Sequence, residues 1–283
     1  MCALQRFSVA AIRTEMNFFF DRQPLTSLGE AVERYKSEEF ESQTRSTVPL
    51  LSFLKHGGAI WESVLRQVSL QDSGVEAHLE FTVPPPQGSG TASHTDVMLI
   101  DGDHAVAIEA KWTEPRYDEV GVWLNRRGSV QNRYDVPKGD ANRRAVLAGW
   151  LSLLQQRVSK KLDVDDFGSA VYQMVHRAAS ACSAGKLPAL IYLQFCPLPD
   201  GRPVESSLMD DLRHLHSLLG SPPNVPFWLA KVEMRPNPAF DRIRTLSRGL
   251  SQTAQAVRDA LRGEPLFTFT DISFHPVKGP DCQ

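Results

Sequence analysis

Residues 94–115 read HTDVMLIDGDHAVAIEAKWTEP. Two apolar runs flank Asp101-Gly102-Asp103, and Asp-Gly between hydrophobic runs is a strong hairpin signal. Three charges interrupt the runs: Asp96 in the first, Glu109 and Lys111 in the second. Side chains alternate across a strand, so Glu109 and Lys111 share a face with Ala105 and Ala107. Val106, Ile108, Ala110 and Trp112 form the opposite, packing face. With Gly102-Asp103 at the centre of the turn, residues whose numbers sum to 205 are opposed, which sets Asp96 across from Glu109. A slip of one residue would send Asp96 to the other face, so the site depends on this register.

Two directly opposed carboxylates lie roughly 5 Å apart at the Cβ level, and like charges there destabilise a sheet. A divalent cation between them reverses the sign. Hard oxygen ligands on adjacent strands suit Mg²⁺, with Mn²⁺ as a substitute, and Mg²⁺ leaves other positions to water and phosphate. Lys111 projects beside such an ion, where it can orient an attacking water or stabilise charge on a phosphate oxygen. These parts suit phosphodiester hydrolysis.

Working outward, Ser27-Leu-Gly-Glu30 has the form of a capping box and opens a helix. A short helix PLLSFLK follows and is closed by Gly57-Gly58, and then comes AIWESVLRQVSL at helical spacing. Residues 75 to 83 read as a strand ended by Pro84-Pro85-Pro86. After the hairpin lies an Arg-rich segment to about Gly139. Asp140 is then expected to cap ANRRAVLAGWLSLLQQRV, and a second helix, DDFGSAVYQMVHRAASACSA, ends at Gly185. PALIYLQFCP and FWLAKVEMRP read as strands, and SLMDDLRHLHSLL and LSQTAQAVRDALRG as peripheral helices. The order of elements predicts an α/β fold with a mixed sheet in one domain.

Asp96, then Glu109-Ala110-Lys111 after a twelve-residue gap on consecutive strands, resembles the PD-(D/E)XK phosphodiesterase superfamily of restriction-endonuclease-like nucleases. Thr95 stands where the proline of the family's name would be, and Glu109-Ala-Lys111 is the only acid-x-Lys tripeptide in the chain. The resemblance covers about residues 58–196. It implies an αβββαβ core with a mixed central sheet flanked by helices. A helical N-terminal extension (1–57) and a C-terminal strand and helices (197–283) would be added to it. It also implies Asp96, Glu109 and the Ala110 carbonyl as metal ligands, and Lys111 as the residue that helps activate water.

The family often takes a further acidic ligand from the helix before the first strand, and Glu62 stands there; its alternative is a solvated helix face. Glu30 and Glu33 are less favoured, and Glu80 is expected to point outward. Some branches of the family reach into the site with a polar residue from a later helix, a role that Gln173 fits, with Arg177 or Tyr172 helping. His176 points elsewhere on helical geometry, and His94 and His104 flank the strands.

Between Trp112 and Lys161 ten basic residues stand against five acidic ones, in a chain of formal net charge −2. Such a segment suits a phosphate backbone, with its Arg126, Arg127 and Arg143, and Arg177 on the later helix, as contacts. The interleaved Trp112, Trp123 and Tyr134 are read as buried packing residues. Four scattered cysteines lack any C-x-x-C spacing, which argues against a zinc ribbon or disulfide framework. G-x-S-x-G and Gly-rich phosphate loops are missing. No apolar run reaches 18 residues, and the first twenty residues are broken by Arg6, Arg13 and Glu15, so a cytoplasmic protein that neither spans a membrane nor carries a secretory signal is expected. The expected function is a Mg²⁺-dependent deoxyribonuclease, an endonuclease rather than an exonuclease, that can form a homo-oligomer. A catalytically silent module that binds nucleic acid or a partner protein is the alternative, and an ordinary α/β protein with superficial hairpin charges is a third reading.

Overall fold

The hairpin strands belong to a sheet of eight, β1 (Asn17–Phe20), β2 (Gln23–Pro24), β3 (Glu76–Val83), β4 (Ser93–Asp101), β5 (His104–Lys111), β6 (Leu187–Pro197), β7 (Phe227–Pro236) and β8 (Phe267–Pro276). The computed structural model describes residues 16–70, 74–126, 136–198 and 207–278. Its helices are α1 (Leu28–Arg34), α2 (Thr47–His56), α3 (Gly58–Gln67), α4 (Val120–Asn125), α5 (Val136–Gln155), α6 (Tyr172–Ala184), α7 (Ser207–Leu218), α8 (Pro238–Ile243) and α9 (Ser251–Arg262). Strand order is β2-β1-β3-β4-β5-β6-β7-β8. The central pairs β3–β4 and β4–β5 are antiparallel, β5–β6 and β6–β7 parallel, and β7–β8 antiparallel, so the sheet is mixed. No helix among the described residues is long and apolar enough to cross a membrane.

Two apolar layers sandwich the sheet. One is built from α1, α2, α3, α8 and α9 over Val97, Leu99, Val106, Ile108 and Ala110; the other from α4, α5, α6 and α7 over Met98, Ala105, Ala107, Leu190 and Tyr192. The parallel strands are covered on both faces, which is why β6 is almost continuously apolar. The hairpin adopts the predicted register, with Val97 opposite Ile108 and Ile100 opposite Ala105. Gly102, at φ +56°, supplies the positive φ that a two-residue hairpin loop takes at its first central position.

One irregularity shapes the site. Ala77 and Leu79 pack into the first layer, whereas Phe81 and Val83 pack into the second, although all four are odd-numbered. The reversal falls at Glu80, whose φ is +51°, opposite Asp96 at a break in the β3–β4 ladder. A non-glycine residue there costs roughly 1–2 kcal/mol, a strain that concentrates at functional sites.

Several expectations are corrected. Residues 17–20 form a strand parallel to β3, so the N-terminal region is not wholly helical. The period-2 stretch FTFTDISFHP adds β8, unread in the sequence. Helix α5 starts upstream of Asp140, and α6 starts at Tyr172. Before α6, a 3-10 turn (Val164–Phe167) buries Phe167, and Val120 and Gly121 donate backbone hydrogen bonds to Ala170 and Gly168. Those bonds take the backbone that a longer helix would need. Ser169 therefore lies outside the helix, hydrogen-bonded to His214 at 2.7 Å.

Candidate functional site

Continued one step beyond the Val97–Ile108 pair, and across the gap between the Leu79–Val97 and Phe81–Thr95 pairs, the register sets Glu80, Asp96 and Glu109 in one row across three neighbouring strands. The expectation that Glu80 faces outward is corrected: the left-handed kink carries its carboxylate to the field of Asp96 and Glu109. Burial and then the Asp96 charge push Glu80 up to about 8. Burial and then Glu109 push Asp96 up to about 7. Asp96 Oδ2 accepts a hydrogen bond from the Ala110 amide at 2.7 Å, which locks its side chain across the hairpin. The Glu80 carboxylate accepts no hydrogen bond among the described residues; His94 Nδ1 lies 4.0 Å away, on an imidazole that burial and then Arg177 hold below its usual value.

Glu109 sits deeper, 2 % exposed, beneath α6. Its Oε1 accepts from Lys111 Nζ and from Gln173 Nε2, both at 2.8 Å, and its Oε2 accepts from Arg177 Nε at 2.5 Å. Burial alone would raise the Glu109 carboxyl, but Arg177 and Lys111 hold it below the usual carboxylate value. Lys111 is pushed the other way: burial opposes its charge, yet Glu109 and Asp96 raise it, so the ammonium stays protonated. Its Nζ lies 4.7 Å from the centroid of the Tyr117 ring.

Gln173 and Arg177 reach Glu109 together because they are four apart on α6, which packs against β5. Ser93 Oγ accepts from Arg177 Nη1 at 2.7 Å and from Ser180 Oγ at 3.1 Å, and contacts His176 Nδ1 at 2.8 Å. His176 is held well below its usual value by burial and by Arg177, so it is neutral. It touches no carboxylate of the row.

Other candidates fall elsewhere. Glu62 lies on α3 against Arg66 at 3.7 Å, with no contact to the row, and is corrected to a helix-face acid. Glu30 is bound to Thr26 and Arg34, and Glu33 to Arg262. Arg177, 7 % exposed and spent on Glu109, is unavailable to a phosphate. Arg143 binds the backbone carbonyls of Leu124 and Arg126 and so staples α5 to α4. Arg126 is exposed and paired with Asp118, and Arg127 lies outside the described residues. Arg116, in the same segment, clamps Asp211 through two hydrogen bonds. Trp112 packs on Phe240 and Phe267, and Trp123 stacks on Tyr172 at 3.9 Å, though both are half-buried and not fully buried as expected. Tyr134 is not among the described residues.

The donor set fits a hard divalent cation on two counts. Glu80 keeps all its acceptor sites, and Asp96 keeps all but the one on the Ala110 amide. Glu109 offers about one remaining lone pair, since a carboxylate carries about four acceptor sites. Against this, among the described residues no three His, Cys, Asp or Glu side chains converge as a preformed cage. A cation held here would have one or two carboxylates as protein ligands and would complete its shell with water.

Comparison with known proteins adds a family without a chemistry. Residues 24–233 match the family model described as "Domain of unknown function (DUF6946)". No curated protein and no solved structure is similar to the chain.

Proposed function

The chain belongs to the DUF6946 family, and from its site we propose that it is a Mg²⁺-dependent nuclease of restriction-endonuclease-like build, acting on DNA. The observation that carries the reading is the carboxylate row with a protonated lysine beside it. Support also comes from the order α3-β3-β4-β5-α6-β6, which, once α4 and α5 inserted between β5 and α6 are set aside, is that of the αβββαβ core to which the Asp96, Glu109-Ala-Lys111 pattern is similar.

Asp96, Glu80 and the spare acceptor of Glu109 would hold the cation, with the Ala110 carbonyl as a main-chain ligand. Bound there, Mg²⁺ supplies Lewis acidity at a phosphoryl oxygen and lowers the pKa of a coordinated water. Lys111, being charged, acts as a donor: it orients the attacking water or stabilises negative charge developing on the phosphate, and does not serve as the base. Gln173 and Arg177 are positioning residues, because they fix Glu109 and through it Lys111. Incubation of DNA with the protein and Mg²⁺ or Mn²⁺ tests the reading. Wild type is expected to cleave, with Lys111→Ala slower by at least ~100-fold; equal, non-zero activity in both would sink it.

A second reading, a silent module that binds nucleic acid or a partner protein, draws on the Arg177–Glu109 pair. Its guanidinium supplies positive charge beside a carboxylate that a metal would otherwise neutralise. Calorimetric Mn²⁺ binding that disappears in Asp96→Asn favours the nuclease; wild-type protein that binds no Mn²⁺ favours the module.

A further inference from the structure

A cavity of about 110 Å³ opens beside Lys111, among the segment after β5, α6, β6 and α7. Its walls have two characters. Tyr117, Met174 and Leu208 give apolar surface, with Tyr117 48 % exposed at the mouth. Lys111 and Gln194 give polar atoms at the sheet side, where the Tyr192 hydroxyl lies covered, and elsewhere in the lining Arg116 is clamped on Asp211 and Glu114 accepts from the Ser46 and Trp112 amides. The Lys111 ammonium lies 4.7 Å from the Tyr117 ring centroid and 6.0 Å from that of Tyr192. Tyr192 itself is 1 % exposed, and its hydroxyl has no hydrogen-bond partner among the described residues. A buried hydroxyl left unpaired carries a desolvation penalty and is rarely without a reason.

We propose that this cavity takes one unpaired nucleobase of the strand whose phosphate lies at the carboxylate row, so that the substrate is single-stranded or locally unpaired nucleic acid. The proposal rests on the nuclease reading and narrows it. A base has apolar faces and polar edges, which matches walls that mix apolar surface with polar atoms; a phosphate would meet the carboxylates of Glu114 and Asp211, with Arg116 already spent on Asp211, and an alkyl chain would leave the Tyr192 hydroxyl unpaired. Lys111 lines the cavity and also binds Glu109 at 2.8 Å, so the occupant lies directly beside the row. In a duplex both faces of a base are covered by its neighbours, so entry here requires a base already out of the stack. Tyr117 at the mouth offers the stacking face that single-strand sites use.

The test is binding, separate from cleavage. A single-stranded oligonucleotide carrying 2-aminopurine is titrated with the full chain in Ca²⁺, and the same sequence is presented as a duplex. The expected result is a fluorescence change on the single strand, with at least ~10-fold weaker duplex binding. Tyr192→Phe, which loses only the unpartnered hydroxyl, should weaken single-strand binding roughly 3–10-fold while the melting temperature does not fall. Leu208→Trp, at a half-buried wall position, should fill the cavity and weaken it further. Duplex bound as tightly as single strand, or both variants binding like wild type, would overturn the proposal. Cleavage in Mg²⁺ that ignores pairing and both variants leaves the nuclease and removes the pocket. Base-dependent binding with no cleavage in Mg²⁺ or Mn²⁺ keeps the pocket and removes the nuclease.

Discussion

Glu109 and Arg177 are both nearly sealed from solvent and meet at 2.5 Å. Breaking such a pair costs about 3–5 kcal/mol; here Oε2 would lose its partner and Lys111 would be left as the one cation bonded to Glu109. Arg177→Ala is therefore expected to lose about that much in urea unfolding, and Gln173→Ala about 1–2 kcal/mol, because it removes one hydrogen bond to a charge. Equal small losses would show that solvent reaches Glu109. Glu80 and Asp96 work in the opposite direction. Their folded values, about 8 and about 7, lie above those of an unfolded chain, so the folded state binds more protons between roughly pH 4 and 8. Their stabilising protonation is complete below pH 4 and is lost as pH rises toward 8. Glu109, held low, contributes stability above its unfolded value that is lost as pH falls through its folded one. Without divalent cations, thermal unfolding should thus show declining stability from pH 5 to 8, and Glu80→Gln should flatten that decline. An unchanged slope in Glu80→Gln would remove Glu80 from the row.

The hairpin was legible as an element because its evidence is local. Alternation, the Asp-Gly turn and the placement of Asp96, Glu109 and Lys111 all lie within one short stretch, and the pairing that results is the predicted one. The kink at Glu80 was not legible, since nothing in the residue type announces a positive φ there. Nor were the limits of α6, which contacts with α4 decide. A further constraint on the hairpin turn comes from Gly185, after α6. A Cβ there would meet the Asp103 carbonyl at 2.6 Å, although its backbone is extended and acceptable to any residue. Gly185→Ala should accordingly destabilise by about 1–3 kcal/mol through forced displacement of the turn. Chemical denaturation measures this, and a wild-type midpoint would mean that turn and helix end separate freely.

At the scale of the molecule, the sheet brings together acids from three strands that no single segment contains. Under the proposed function, a divalent cation should stabilise the folded chain by mass action, and more strongly at pH 8 than at pH 6, because its ligands must be deprotonated. Melting curves with and without Mn²⁺ at the two pH values check this; a shift independent of pH, or retained in Asp96→Asn, would place the ion elsewhere. The sequence by itself determined the central strands, the hairpin register and the opposition of Asp96 to Glu109, because strand periodicity and turn chemistry are written in neighbouring residues. Only the tertiary structure decided that Glu80 joins the row, that Glu62 stays on its helix, and that Arg177 is buried against Glu109 rather than offered to a phosphate. Those outcomes depend on which face of the sheet each helix covers and on one left-handed residue, and both are set by packing between segments far apart in the chain.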